Sequence, residues 1–321
     1  MSDTILDVRG LKKYFPTKSG LLHAVDDVNF CIATGETMGL VGESGCGKST
    51  IGRLVLRLLE PTAGEVIFEG TDITKLDTKS MRRMRRKMQI VFQDPYASLD
   101  GRKSVFESIG EPLRVQKIFS DKRAYEQRVY ELMDLAGLAK RFANAYPHEL
   151  DGGRRQRVGI ARALALNPSF MVLDEPVSAL DVSIQAQVLN LMQALQKDLG
   201  LTYLFISHDL SVVKHISTHI AVMYLGVMVE KAPVKVLFSR PLHPYTQALL
   251  SAVPIPSIDV QQNRIVLEGD VPSPINPKPG CRFAGRCRFC MERCNVETPQ
   301  MRESEPGHFV ACHLNDAPGA E

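Results

Sequence analysis

The sequence predicts an α/β fold: a mainly parallel sheet with helices on both faces, followed by a small cysteine-rich extension. Three observations carry this. The stretch Gly42-Glu43-Ser44-Gly45-Cys46-Gly47-Lys48-Ser49-Thr50 has the spacing G-x-x-x-x-G-K-[ST], between an apolar run (Thr37 to Val41) and a helical pattern (Ile51 to Leu59). Strand and helix patterns then alternate through Phe170 to Leu173, Val182 to Leu199 and Thr202 to Ile206, as βαβ units do. Finally, five of the seven cysteines fall within the last 41 residues.

In chain order, residues 4–9 and 25–32 read as strands, the second alternating through Val25, Val28, Phe30 and Ile32. The glycine-rich stretch reads as a phosphate-binding loop, which makes the fold that of a P-loop NTPase. Gly42, Gly45 and Gly47 let the backbone, with Ser44 and Cys46, wrap a polyphosphate closely enough for successive N–H groups to reach its oxygens. Lys48 supplies a point charge for the β- and γ-phosphates, Ser49 a hydroxyl for Mg²⁺, and the following helix, with Thr50 in its first turn, its N-terminal dipole. ATP with Mg²⁺ is the expected cofactor pair.

Glu65 to Phe68 reads as a further strand, and Met81 to Lys87, five basic residues in seven, as a solvated helix face. Met88 to Phe92 is a strand delivering Gln93, which can ligate metal or water. Residues 104–140 read as helical, with a break at Pro112. The strand Phe170 to Leu173 delivers Asp174 and Glu175. As adjacent strand residues they face opposite ways and serve different roles, Asp174 toward the Mg²⁺ shell and Glu175 toward the attacking water as general base. His208 follows the next strand, close enough to reach a γ-phosphate. Pro254, Pro256, Pro272, Pro274, Pro277 and Pro279 mark an extended connector, beyond which residues 281–312 hold too little apolar sequence for a core of their own.

Composition sets limits. At 321 residues and 44% apolar the chain can bury a full α/β core and carry an appendage. A net charge of +3 gives no nucleic-acid signal. Met1 to Arg9 lacks the features of a secretory signal, and no apolar window reaches ~18 residues, so no membrane span is expected.

Taken in order, Gly42–Thr50, Gln93, Leu150-Asp151-Gly152-Gly153-Arg154, Leu173-Asp174-Glu175-Pro176, Ser178-Ala179-Leu180-Asp181 and His208 resemble the motif set of ABC-transporter ATPases. Arg240-Pro241-Leu242-His243-Pro244-Tyr245-Thr246 resembles the C-terminal extension of the dipeptide/oligopeptide importer subfamily, which also includes nickel importers. The resemblance implies an ATPase domain over 1–240, with a helical subdomain at about 95–165, and an extension over 241–321. It implies an ATP hydrolase on the cytoplasmic face of the membrane, powering import of di- or oligopeptides, with nickel as the alternative cargo. Its partners would be a second ATPase subunit (a different chain), two transmembrane permease subunits and an extracytoplasmic peptide-binding protein. Tyr14 (or Phe15) stands where the family stacks an aromatic ring on adenine, and Pro95 to Pro112 where it meets its membrane subunits. A soluble ABC ATPase acting on nucleic acid is the competing reading; the near-neutral charge and the His243-Pro244-Tyr245 extension speak against it.

One motif departs from the family. Its signature loop, Leu-Ser-Gly-Gly-Gln, offers a Ser hydroxyl to the ATP held by the other subunit; this chain has Asp151 and Arg154 around Gly152 and Gly153. Asp151 is expected to turn away as a helix N-cap, with Arg154 supplying positive charge. The cysteine spacing C-x5-C-x2-C-x3-C-x17-C suits either tetrahedral zinc or an iron–sulfur cluster. By resemblance, Cys281, Cys287, Cys294 and Cys312 match the ligands of a [4Fe-4S] cluster, leaving Cys290 as the odd one out. The role expected is structural.

Overall fold

The computed structural model describes residues 4–253, 264–269 and 271–316. Part of the proline-rich connector, including Pro254 and Pro256, lies outside the described residues. The strands are β1 (Thr4–Thr17), β2 (Gly20–Ala33), β3 (Thr37–Val41), β4 (Ala63–Phe68), β5 (Thr71–Asp72), β6 (Met88–Val91), β7 (Phe170–Asp174), β8 (Thr202–Ile206), β9 (His219–Tyr224), β10 (Val227–Pro233), β11 (Arg302–Glu305) and β12 (His308–Val310). The helices are α1 (Lys48–Val55), α2 (Thr78–Met84), α3 (Val105–Val115), α4 (Lys122–Leu135), α5 (Gly152–Leu164), α6 (Val182–Leu199), α7 (Leu210–Ile216), α8 (Val234–Ser239) and α9 (Pro244–Ser251).

The chain divides into two compact units. The first comprises Met1–Ile5, Ala33–Glu36 and Lys75–Ile206. Its strands β6, β7 and β8 pair in parallel, Met88 opposite Phe170 and Phe170 opposite Thr202. Every residue of β7 and β8 is buried, which is why both read as unbroken apolar runs rather than alternating ones. Helix α3 starts with a capping box between Ser104 and Glu107 and packs on α4 and α5.

The expected break at Pro112 is not where the helix ends, because Pro112 lies inside α3. The chain turns instead at Lys117, in left-handed backbone, with Ile118 N–H on Leu113 O (3.0 Å) and Lys117 N–H on Arg114 O (3.1 Å). That is a Schellman termination with Lys in the place usually given to Gly. The basic run is not simply a solvated face either. Arg82 donates to Val115 O, and Arg86 to the Gln116 side chain and carbonyl, so two of its charges fasten this turn.

The second unit comprises Leu6–Ile32, Thr37–Thr74 and Ser207–Glu321. It holds an antiparallel sheet of order β2-β1-β4-β5 and the strands β11-β12-β10-β9-β3, in which β3 and β9 run parallel and the rest antiparallel. Strand β1 runs past the expected end at Arg9 because a register shift between Arg9 and Lys12, with Gly10 in left-handed backbone, bends it without ending its pairing to β4. The cysteine-rich segment gains its core by docking: β12 adds to the β10 edge, and Phe283 is fully buried.

Candidate nucleotide site

The phosphate loop joins β3 to α1 in the second unit. Gly42 and Gly47 have φ of 152° and 103°, and a Cβ on either would sit about 2 Å from a carbonyl oxygen, Met223 O at 2.2 Å and Ala24 O at 2.1 Å. Only glycine fits both the dihedral and the space. Lys48 is buried, and its Nζ donates to Gly42 O (2.8 Å) and Glu43 O (2.9 Å), which holds the ammonium inside the loop. The Cys46 thiol is buried beside it, and burial pushes its pKa up; it fills space rather than reacting. Ser44 and Gly45 are exposed at the tip, while Ser49 and Thr50 open α1.

Tyr14 is half-buried on β1, with one ring face stacked on His23 at 4.0 Å between centroids. Its hydroxyl donates to Asp26, and burial together with that carboxylate pushes the phenol up to about 12. Burial alone would raise Asp26, but hydrogen bonds from His23 and Tyr14 and the Arg282 charge hold it below the usual carboxylate range. His208 is exposed between Ser207, whose N–H bonds Leu40 O on β3, and Asp209, the N-cap of α7. It therefore stands at the loop end of β3.

In the first unit, β7 ends at buried Asp174. Glu175 does not continue the strand: its φ is 46°, and its N–H bonds Ile206 O at 2.9 Å. A left-handed non-glycine residue is costly by about 1 kcal/mol or more, so the different settings of the two acids come from this turn and not from strand alternation. Gln93 Nε2 donates to Glu175 Oε2 at 2.9 Å, joining two candidates 82 residues apart. Ser178 Oγ fastens the same turn through Glu175 O.

The signature stretch opens α5. Asp151 is its N-cap, accepting from Arg154 N–H at 2.7 Å, and its second oxygen pairs with Arg154 Nη1 at 2.7 Å. The Arg154 guanidinium also lies 4.6 Å from the centre of the Phe142 ring. Gly152 and Gly153 pack against Leu180 and Ile184. Ser caps a helix as well as Asp does, and an exposed ion pair contributes little. Asp151→Ser should therefore leave ATP turnover of the assembled transporter within a few-fold. A large gain would mean that Asp151 holds the site back.

Cys281, Cys287, Cys294 and Cys312 line one enclosed pocket with His243 and Phe283, whereas the exposed Cys290 does not. Burial, with the neighbouring thiols adding, pushes Cys281 and Cys312 up to about 11. Among the described residues no group of three or more His, Cys, Asp or Glu stands close enough to hold a metal ion. The side chains as they stand thus do not form the expected zinc or iron–sulfur centre.

Sequence reasoning missed three residues. Tyr245 accepts a hydrogen bond from the Glu43 N–H of the phosphate loop (2.9 Å), and Arg286 Nη1 donates to both Glu43 carboxylate oxygens (2.9 and 3.2 Å). Glu230, fully buried on β10, accepts from the N–H groups of Leu242 and His243 and from His308 Nε2. Each partner lies 12 to 243 residues away in sequence, and no local pattern signals such pairs.

Two families match the chain: "ABC transporter" over residues 25–178 and "Oligopeptide/dipeptide transporter, C-terminal region" over residues 229–294. Oligopeptide transport ATP-binding protein AppF of Bacillus subtilis (strain 168) is 52% identical over 97% of this chain and 98% of its own length. Probable peptide ABC transporter ATP-binding protein y4tS of Sinorhizobium fredii (strain NBRC 101917 / NGR234) is 48% identical over 100% of this chain and 92% of its own. Among solved structures, a dimeric post-hydrolysis state of the ATP-binding cassette MJ0796 bound to ADP and Pi matches with a TM-score of 0.66 and 30% identity, covering 71% of this chain and 98% of that one. With its motif set in order and near full-length likeness to these relatives, the chain belongs to the ABC transporter ATPases, in the group that carries the oligopeptide/dipeptide transporter C-terminal region.

Proposed function

We infer that this chain is the ATP-hydrolysing subunit of a transporter that imports di- or oligopeptides. The observation that carries the reading is the 52% identity across 97% of the chain to a relative named for oligopeptide transport. Lys48 and the loop N–H groups hold the phosphates, Ser49, Gln93 and Asp174 share the Mg²⁺ shell, and Glu175 acts as general base with His208 at the γ-phosphate. Tyr14 stacks on adenine. Asp151, Gly152, Gly153 and Arg154 face the ATP of a second, different ATPase subunit, and the residue 95–112 stretch, where Tyr96 is 57% exposed, meets the two permease subunits. A peptide-binding protein delivers cargo on the far side of the membrane. Residues 1–240 form the ATPase domain, with the helical subdomain at about 95–165, and 241–321 the extension. No helix among the described residues is long and apolar enough to cross a membrane, which fits a subunit held peripherally on its cytoplasmic face.

The test is ATP-driven uptake in liposomes carrying the complete complex, with peptides and Ni²⁺ offered in parallel. Peptide accumulation supports the reading. Nickel uptake alone would overturn the cargo.

The four pocket-lining thiols also fit a metal centre in their donor set, because a bound cation lowers thiol pKa values and takes thiolates as ligands. Cys281, Cys287, Cys294 and Cys312 would hold a [4Fe-4S] cluster or zinc, whose contribution is structural. Purified protein should contain iron with sulfide, or zinc, and Cys294→Ser should lose it; finding neither metal in the parent protein would sink the site.

A further inference from the structure

The phosphate loop of this chain carries an acid. Glu43 is the second residue of the stretch that wraps the polyphosphate, so a carboxylate sits in the one segment built to attract negative charge. Left alone it would oppose nucleotide binding, as like charges do at short range in a partly desolvated site. The structure shows what offsets it. Arg286, only 9% exposed, donates from Nη1 to both Glu43 oxygens, and Tyr245 accepts from the Glu43 N–H.

Both residues come from the C-terminal extension, and their own positions are held firmly. Tyr245 is fully buried between Tyr224 (4.8 Å) and Phe283 (5.4 Å). His243 Nδ1 accepts from the Tyr245 N–H, which sets the start of α9. Arg286 closes the short turn Ala284–Arg286 that follows Phe283. A second arginine from the same segment, Arg282, reaches Asp26, the carboxylate under Tyr14.

We propose that Arg286 and Tyr245 are positioning residues of the nucleotide site: Arg286 neutralises Glu43 and Tyr245 fixes its backbone, so the extension sets nucleotide affinity from behind the loop. This rests on the reading of Gly42–Thr50 as the ATP site. The neutralisation has a signature that mere structural support lacks. Removing Arg286 uncovers a negative charge, and removing that charge as well restores binding.

The experiment measures Mg²⁺–ATP and ADP affinity of the full chain by titration calorimetry. Arg286→Ala should weaken ATP binding by about tenfold, the order Coulomb's law gives for a unit charge at roughly 10 Å and an effective dielectric near 20. The loss should be smaller for ADP than for ATP and should shrink as salt is raised. Glu43→Gln in the Arg286→Ala background should recover most of it. Tyr245→Phe, which keeps the ring and removes the acceptor, should weaken ATP and ADP binding alike. Arg302→Ala, an exposed arginine in the same segment, should change nothing.

Unchanged affinity in Arg286→Ala overturns the proposal. So does a loss that Glu43→Gln fails to rescue, because Arg286 would then act only through folding. Lys48→Ala separates the two readings: it should abolish ATP binding. Binding that survives Lys48→Ala overturns the ATP-site reading and the inference with it, whereas loss in Lys48→Ala beside unchanged Arg286→Ala overturns the inference alone.

Discussion

Glu175→Gln should keep ATP bound and slow its hydrolysis by about two to three orders of magnitude, the contribution of a well-placed general base. Gln has the size of Glu and tolerates the same backbone, so the left-handed turn at φ 46° and the bond from the residue-175 N–H to Ile206 O remain. The Gln93 amide still finds an oxygen at residue 175, since its present bond is to a single carboxylate oxygen. What disappears is the ability to take a proton from water. Single-turnover hydrolysis by the assembled complex, paired with an ATP-binding titration, reads the two effects apart. Hydrolysis within tenfold of the parent would remove Glu175 from the role of base. Loss of binding would show that the carboxylate serves the ground state instead.

The features legible in the sequence are those fixed by neighbours along the chain. The phosphate loop is one, because its glycines, Lys48 and Ser49 act through backbone within nine residues. The Asp151 cap is another, a bond spanning three residues. Helix α6 and strand β8 stand where their apolar periodicity put them, at Val182–Leu199 and Thr202–Ile206. Errors arose where tertiary or turn geometry overrode a local rule. Pro112 is carried inside α3, Glu175 leaves the strand its neighbours define, and the Arg9–Lys12 bulge prolongs β1. The Gln93–Glu175 bond could not be read at all, since each residue merely ends an apolar strand. His243-Pro244-Tyr245 was legible only as a family mark, yet its physical work is local and plain: His243 caps α9, Pro244 occupies the first helical turn, and Tyr245 meets the phosphate loop.

Removal of the Glu230 side chain should be among the most damaging single changes in the extension. Its carboxylate is wholly buried, and it accepts from Leu242 N–H at 2.8 Å, His243 N–H at 3.0 Å and His308 Nε2 at 2.7 Å. Those three donors come from two segments, the chain leading into α9 and strand β12, so one acid fastens both to β10. Glu230→Ala would leave the buried His243 N–H and His308 imidazole, and the half-buried Leu242 N–H, without their acceptor. The expected cost is about 3–5 kcal/mol, because removing a buried acid that accepts three hydrogen bonds leaves its donors desolvated and unpaired. Glu230→Gln keeps the shape but turns an NH₂ toward one of three donors, so it should recover only part of the loss. Hydrogen exchange on the complete chain reads this directly: the amides of Leu242, His243, Tyr245 and Thr246 should open about two to four orders of magnitude faster, on the order expected from such a cost. Because Tyr245 lies in that stretch, its bond to Glu43 should loosen with them, and ATP affinity should fall. Exchange within threefold of the parent would show that β12 and the start of α9 are held by apolar packing alone, and that Glu230 is carried there without fastening them.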